Sequence, residues 1–114
     1  MRRLLFALVL LVAAPAAASD WIESLDIPLM PGLSLTPDSE TVFETADARI
    51  VELEARGAVA PEDVRRYYAS ALAGLGWQGD PVSGMMRDGE RLRLEIAGGG
   101  ATTVVAFRLT PQRP

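Results

Sequence analysis

Glu52 and Glu54 are the pair of side chains whose type and spacing come closest to a catalytic arrangement. They alternate with apolar residues in a predicted strand, which would hold both carboxylates on one face, about 7 Å apart. Paired carboxylates can serve glycoside hydrolysis. The same alternation is typical of a solvent-exposed strand face, and this second interpretation is the one we adopt.

The methionines Met30, Met85 and Met86 could in principle bind a soft cation such as Cu(I). Neighbouring residues of a strand point to opposite faces, so Met85 and Met86 could not easily share one metal. The sequence therefore favours a packing role in the core for Met85.

Most other reaction chemistries lack their residue types in this chain. There is no cysteine, no histidine and no lysine, so a nucleophile would have none of the usual bases beside it. The run Gly98-Gly99-Gly100 lacks the strand-to-helix context and the lysine of a phosphate loop. The acidic turns at residues 38–40 and 88–90 lack the acid and glycine spacing of a calcium loop. We predict no catalytic site, no metal site and no cofactor.

One predicted helix, within residues 61–77, would position the rest of the fold. Pro61 suits the first helical position. Gly76 suits the left-handed position after the last turn, from which Trp77 can fold back onto Leu72. At about 100° per residue, the buried stripe is predicted to contain Val64, Tyr68, Ala71, Leu72 and Leu75.

Strands are predicted on both sides of this helix, at residues 41–45 and 49–55 before it and at residues 77–82, 85–87, 90–97 and 101–109 after it. Asp88-Gly89 predicts a two-residue hairpin turn that sets Arg87 opposite Glu90. For the last hairpin we predict a four-residue loop, residues 98–101, which would set Leu94 opposite Val105.

These elements predict an α+β fold with one amphipathic helix packed on an antiparallel sheet of about four to six strands, in the order β-β-α-β-β-β. The side chains predicted to face the core are Val51, Leu53, Val64, Tyr68, Leu72, Leu75, Trp77, Met85, Leu92, Leu94, Ile96, Val105, Phe107 and Leu109.

The N-terminus resembles a bacterial export signal. Arg2 and Arg3 precede an apolar run that ends in small residues around Ala18, and the run is shorter than the roughly 20 residues of a spanning helix. We predict a cleaved signal over residues 1–18, an extended proline-rich strap over residues 19–40, an α+β domain over residues 41–110 and a frayed tail over residues 111–114. The expected location is periplasmic or secreted, with an uncleaved inner-membrane anchor as the alternative.

The charge of the chain argues against two classes of partner. Loss of 18 of the 114 residues would leave 96, with nine basic and fifteen acidic side chains. An acidic domain without lysine or histidine is a poor candidate for binding nucleic acid or an anionic membrane surface. Membrane contact is expected only transiently, through the signal peptide.

Three motifs resemble a group of small exported bacterial proteins with no assigned activity. They are residues 27–33 (IPLMPGL), the helix end at residues 67–77 (YYASALAGLGW), and the hairpin RDGE at residues 87–90 with the last strand to Pro111. These motifs form turns and core, so the resemblance implies the fold and supplies no catalytic residue.

Two non-enzymatic hypotheses remain. The first is a protein-binding module of the cell envelope, whose partner would be another envelope protein. Its interaction surface would include Trp21, Arg66, Tyr67, Ala69 and Ala73, because exposed aromatic and small side chains let another chain approach closely. The alternative is a carrier of a small molecule or lipid, with its ligand between helix and sheet under the strap. The oligomeric state is left open.

Overall fold

A seven-stranded antiparallel sheet is the frame of the molecule. The computed structural model describes residues 20–112, and the predicted signal peptide lies outside the described residues. The elements are β1 (Trp21–Ile22), β2 (Ile27–Pro28), β3 (Leu33–Leu35), β4 (Thr41–Glu44), β5 (Arg49–Gly57), α1 (Pro61–Gly74), β6 (Gln78–Asp80), β7 (Gly84–Arg87), β8 (Glu90–Gly99) and β9 (Thr102–Pro111).

The strand order across the sheet is β3, β5, β9, β8, β7, β6, and β4 also pairs with the outer edge of β5. The last strand, β9, therefore lies in the middle, between β5 and β8. Strands β1 and β2 form a separate hairpin. Within residues 20–112, the α+β class, the single helix and the antiparallel pairing are confirmed. The predicted strand count is too low, because strands of two or three residues beside prolines lack the longer alternation that predicts a strand.

The helix α1 ends as its sequence predicts. Gly76 has a φ of +95°, and the N–H groups of Gly76 and Trp77 donate to the carbonyls of Ala73 and Leu72. Of the predicted stripe, Val64, Tyr68 and Leu72 are fully buried. The prediction for Leu75 is wrong, since its side chain is 37% exposed. Leu75 follows the last helical residue and has left the helical conformation, which turns its side chain off the stripe.

The two predicted hairpins differ in outcome. Asp88-Gly89 forms the two-residue turn, with Arg87 opposite Glu90. The four-residue loop predicted between β8 and β9 is wrong: Leu94 lies opposite Phe107 and not Val105, which leaves a loop of Gly100 and Ala101 alone. Glycines at 98 and 99 continue the strand, and Gly100 adopts the positive φ that a two-residue turn needs.

The core lies between one face of the sheet, here called the helix face, and a cover made of α1 and the strap. Of the set of side chains predicted to face the core, all but Leu75 and the half-buried Ile96 are buried. The strap adds five buried apolar residues that the set omits, which are Ile22, Leu25, Ile27, Leu29 and Leu33. The strap thus covers the part of the helix face that α1 leaves uncovered.

Tyr68 joins the strap to the helix. Its hydroxyl donates to the carbonyl of Pro28 (2.8 Å) and accepts from the backbone N–H of Met30 (2.9 Å). Its ring makes an edge contact with Phe107, with 5.4 Å between the ring centroids. A single buried side chain therefore connects strap, helix and sheet.

The outer edge of β5 is shared by β3 and β4, which lie end to end and are separated by residues 36–40. In that gap the hydroxyl of Ser39 accepts the backbone N–H of Glu54 (3.1 Å) and donates to the carbonyl of Thr36 (2.8 Å). The N–H of Thr36 donates to the carbonyl of Glu54 (2.8 Å). The loop thus satisfies the backbone of β5 where no strand lies beside it.

Arg87 stabilises the C-terminal end of α1, which has no basic residue in its last turn. Its guanidinium donates to the carbonyl of Leu75 (2.8 Å) and lies 4.6 Å from the ring centroid of Trp77. We expect Arg87→Met to lower the free energy of unfolding by about 1–2 kcal/mol, because it removes this bond and the cation–π contact. Thermal and urea unfolding would measure the loss.

Arg93→Met is the matched control, because Arg93 lies on the face of the sheet opposite the helix and makes only a long contact with Glu95 (3.7 Å). We expect it to change stability by less than about 0.5 kcal/mol. Equal effects of the two substitutions would contradict the role of Arg87.

Candidate functional site

The carboxylates of Glu52 and Glu54 both form ion pairs with arginines. Glu52 and Glu54 lie on the face opposite the helix, here called the open face, where Glu52 bonds Arg108. Glu54 accepts from Arg56 (2.7 Å) and from the hydroxyl of Thr36 (2.9 Å). The Arg56 bond, followed by the Thr36 bond, lowers the pKa of Glu54 below its ordinary value. A general acid needs the opposite shift.

A shallow groove of about 330 Å³ on the open face contains this pair, with Arg93, Glu95 and Arg108 on its rim. Its volume is near the lower limit of typical small-molecule sites. Its charges form ion pairs with one another or with Arg56, which favours a solvated sheet surface. Within residues 20–112, no cluster of three or more acidic side chains is placed to hold a metal ion.

The methionines lie as the strand geometry predicts. Met85 is buried on the helix face opposite Leu92, and Met86 lies opposite Arg91. Because neighbouring strand residues face opposite ways, the two sulfur atoms belong to different faces of the sheet.

The predicted interaction residues fall into two places. Arg66, Ala69 and Ala73 are exposed on the outer side of α1, where Arg66 pairs with Asp63 at 3.1 Å. Tyr67 is half-buried, with its ring edge-on to that of Tyr68 at 4.9 Å. These four form the helix surface, whose role in binding stays a prediction.

Trp21 lies elsewhere, on the β1–β2 hairpin, with 43% of its surface exposed. Its indole N–H donates to Asp26 (3.2 Å). It lines a depression with Ile22, Leu35 and Glu40, and no residue of α1 lines that depression. The structure therefore does not bring Trp21 into the helix surface.

Exposed apolar side chains are concentrated at the β3–β4 edge of the sheet. Within residues 20–112, the large apolar residues that are more than a third exposed are Trp21, Leu35, Val42, Phe43, Leu75 and Val82. Leu35 belongs to β3, Val42 and Phe43 belong to β4, and Trp21 lines a depression beside Leu35. Phe43 is the most exposed of them, at 68%. We call this set of four the apolar edge.

Strand β4 carries two members of the apolar edge and is exposed at all four positions. It pairs only with β5, so within residues 20–112 its other side has no strand beside it. Phe43 lies opposite Ile50 on the open face, and Val42 lies opposite the buried Val51 on the helix face. Both faces of the free strand therefore present an apolar side chain.

A groove adjoins the start of β4, formed by two depressions that share Leu35 and Glu40. We call it the edge groove. Its other charged lining residues are Glu23 and Asp38. None of these three carboxylates forms an ion pair within residues 20–112. The edge groove therefore combines apolar side chains with carboxylates that have no ion pair within the described residues.

The segment that contains these three carboxylates, residues 20–47, is acidic as a whole. Residues 20–47 contain seven acidic side chains and no basic one, whereas residues 48–112 contain eight of each. The first base after this segment, Arg49, is bonded to Glu90 (3.0 Å) and to the carbonyl of Ser24 (3.1 Å). This asymmetry is visible in the sequence, and it is the signal from which the β3–β4 edge could have been predicted as a candidate site.

None of the protein families, curated proteins or solved structures compared with the chain matches it. The residues from 20 to 112 include no helix of sufficient length and apolar character to cross a membrane. Inference about function therefore depends on the surfaces described above.

Proposed function

We propose that this chain is a non-catalytic protein-binding module of the cell envelope. The observation that carries the proposal is the apolar edge, where Phe43 is 68% exposed on a strand that has no neighbour on its outer side within residues 20–112. Exposed apolar side chains grouped in one place are typical of surfaces that another protein covers. The envelope location is supported by the export-signal pattern of residues 1–18 and by the resemblance to small exported bacterial proteins.

The carrier alternative has less support, because its pocket would lie under the strap. That space contains the Tyr68 hydroxyl with its two bonds to the strap, and the side chains of Ile27 and Leu29. A ligand there would have to displace buried apolar residues from a packed core.

Site-specific photo-crosslinking in the source bacterium tests the proposal. The chain has no lysine, so amine-reactive reagents would label little more than its N-terminus. A photoreactive phenylalanine would replace Phe43 at the apolar edge or Ala69 on the helix surface. Asp88, at the exposed β7–β8 turn, is the control position.

We expect one dominant crosslinked protein from Phe43 or Ala69 and none from Asp88. Crosslinking that is absent or equally diffuse at all three positions would overturn the proposed function. Crosslinking from Ala69 alone would support a binding module that uses the helix surface.

A further inference from the structure

We infer that the β3–β4 edge binds an extended segment of a partner protein in which apolar residues alternate with arginine or lysine. The segment would add to the sheet beside β4. This inference rests on the proposed protein-binding function and identifies both its surface and the chemistry of the partner.

The backbone of β4 has no strand on its outer side within the part of the chain that the structure describes. Residues Thr41–Glu44 pair with β5 on one side only, and successive residues of an edge strand direct every second N–H and C=O pair outward. An extended peptide satisfies such groups by strand addition. The length of β4 limits the paired stretch to about four residues.

Strand β4 exposes an apolar side chain on each face of the sheet. A strand beside β4 would place side chains next to Phe43 on the open face and next to Val42 on the helix face. Phe43 and Val42 are 68% and 47% exposed. A partner segment with apolar residues at matching positions would cover surface that the fold itself leaves in water.

The surface next to the start of β4 carries negative charge. A segment that runs past Thr41 meets the edge groove, where Glu23, Asp38 and Glu40 have no ion pair within the described residues. Arginine and lysine suit this site, because their apolar stems can lie on Trp21 while their charged ends reach the carboxylates. Residues 20–47 contain seven acids and no basic residue, which favours a cationic partner for this segment.

A second copy of this chain fits the edge less well. Two β4 strands paired side by side would bring Glu40 and Glu44 of each copy close to the acids of the other. Like charges across an interface disfavour association. A cationic partner removes this repulsion and pairs the same carboxylates.

Selection from a random peptide library displayed on phage tests the inference, with the purified chain as the target. We expect the enriched peptides to alternate apolar residues with arginine or lysine. A selected synthetic peptide would then be titrated into isotope-labelled protein and followed by backbone amide shifts. The expected shifts lie in β4 and around the edge groove, and added salt should weaken binding.

Two edge variants and one control complete the test. Phe43→Glu should abolish binding of the selected peptide, and Glu40→Arg should weaken it about tenfold by reversing one charge of the groove. Ala69→Glu adds the same charge as Phe43→Glu to the helix surface and should leave binding unchanged. Circular dichroism and thermal unfolding would verify that each variant is folded, and Glu40→Arg alters only an exposed side chain.

Enrichment of acidic or uncharged peptides, no enrichment at all, or amide shifts confined to α1 would overturn the inference. The failure of the inference is distinguishable from that of the proposed function. A stoichiometric partner crosslinked through Ala69, together with failed selection at the edge, would leave the binding module intact and remove only the role of β4.

Discussion

Gly57→Ala is expected to lower the free energy of unfolding by about 3 kcal/mol or more, the largest loss among the substitutions considered. A methyl group on Gly57 would lie 1.9 Å from the carbonyl oxygen of Gly32 and 3.1 Å from the Cα of Leu33. Both obstacles are backbone atoms, so no side-chain rotation can relieve the overlap. The strap would have to move away from the end of β5.

Urea unfolding of Gly57→Ala and of the unchanged protein would measure the loss, and hydrogen exchange would show whether protection falls first in the strap. Gly74→Ala is the matched control, since a methyl group there meets nothing within 4 Å and the residue is the last of the helix. It should raise stability by up to about 1 kcal/mol. A Gly57→Ala protein as stable as the original would contradict the close packing of the strap on β5.

Tyr68→Phe is expected to cost about 2–4 kcal/mol at neutral pH, because the N–H of Met30 and the carbonyl of Pro28 would lose their buried partner. Tyr67→Phe is the control. The hydroxyl of Tyr67 makes no hydrogen bond within residues 20–112, so its loss should change stability little. Chemical denaturation would compare the two variants, and equal losses would contradict the bridging role of Tyr68.

The pH dependence of stability offers an independent check on Tyr68. Burial raises the pKa of the Tyr68 hydroxyl above its ordinary value, despite the opposing effect of the Met30 N–H bond. The unfolded chain releases this proton near pH 10 and the folded chain only at higher pH. The contribution of the Tyr68 hydroxyl to the free energy of unfolding is therefore fully present below about pH 10. It declines as the pH rises further.

Few other groups would obscure this alkaline decline, because the chain has no lysine, cysteine or histidine. We expect the stability difference between the unchanged protein and Tyr68→Phe to shrink above about pH 10, by up to about 1.4 kcal/mol per pH unit. Denaturation curves at several alkaline pH values would measure it. A difference that stays constant with pH would show that Tyr68 ionises alike in both states.

Local signals account for the parts of the fold that could be predicted. The end of α1 depends on Gly76 and the β7–β8 turn on Asp88-Gly89, and both signals lie within a few residues of the structure that they determine. The register of β8 against β9 could not be fixed in this way. A shift of two residues keeps every side chain on the same face, so the alternation fits the predicted and the observed loops equally well.

The candidate site could not be predicted for a related reason. Val42 and Phe43 are recognisable as strand residues, but their exposure follows from the position of β4 at the edge of the sheet. Strand order depends on long-range pairing, which the alternation of apolar and polar residues does not specify. The outer side of α1, by contrast, can be recognised from the periodic pattern of its apolar and polar residues.

Because β9 lies between β5 and β8, the sheet cannot be completed before β9 is available. Synthesis delivers a chain from its N-terminus, so β5 and β8 both emerge before the strand that joins them. Until residues 102–111 follow, the strap and β5 on one side and β6 to β8 on the other have no shared hydrogen-bond ladder. A chain drawn through a narrow pore with its N-terminus first would therefore lack a complete sheet until residues 102–111 had passed.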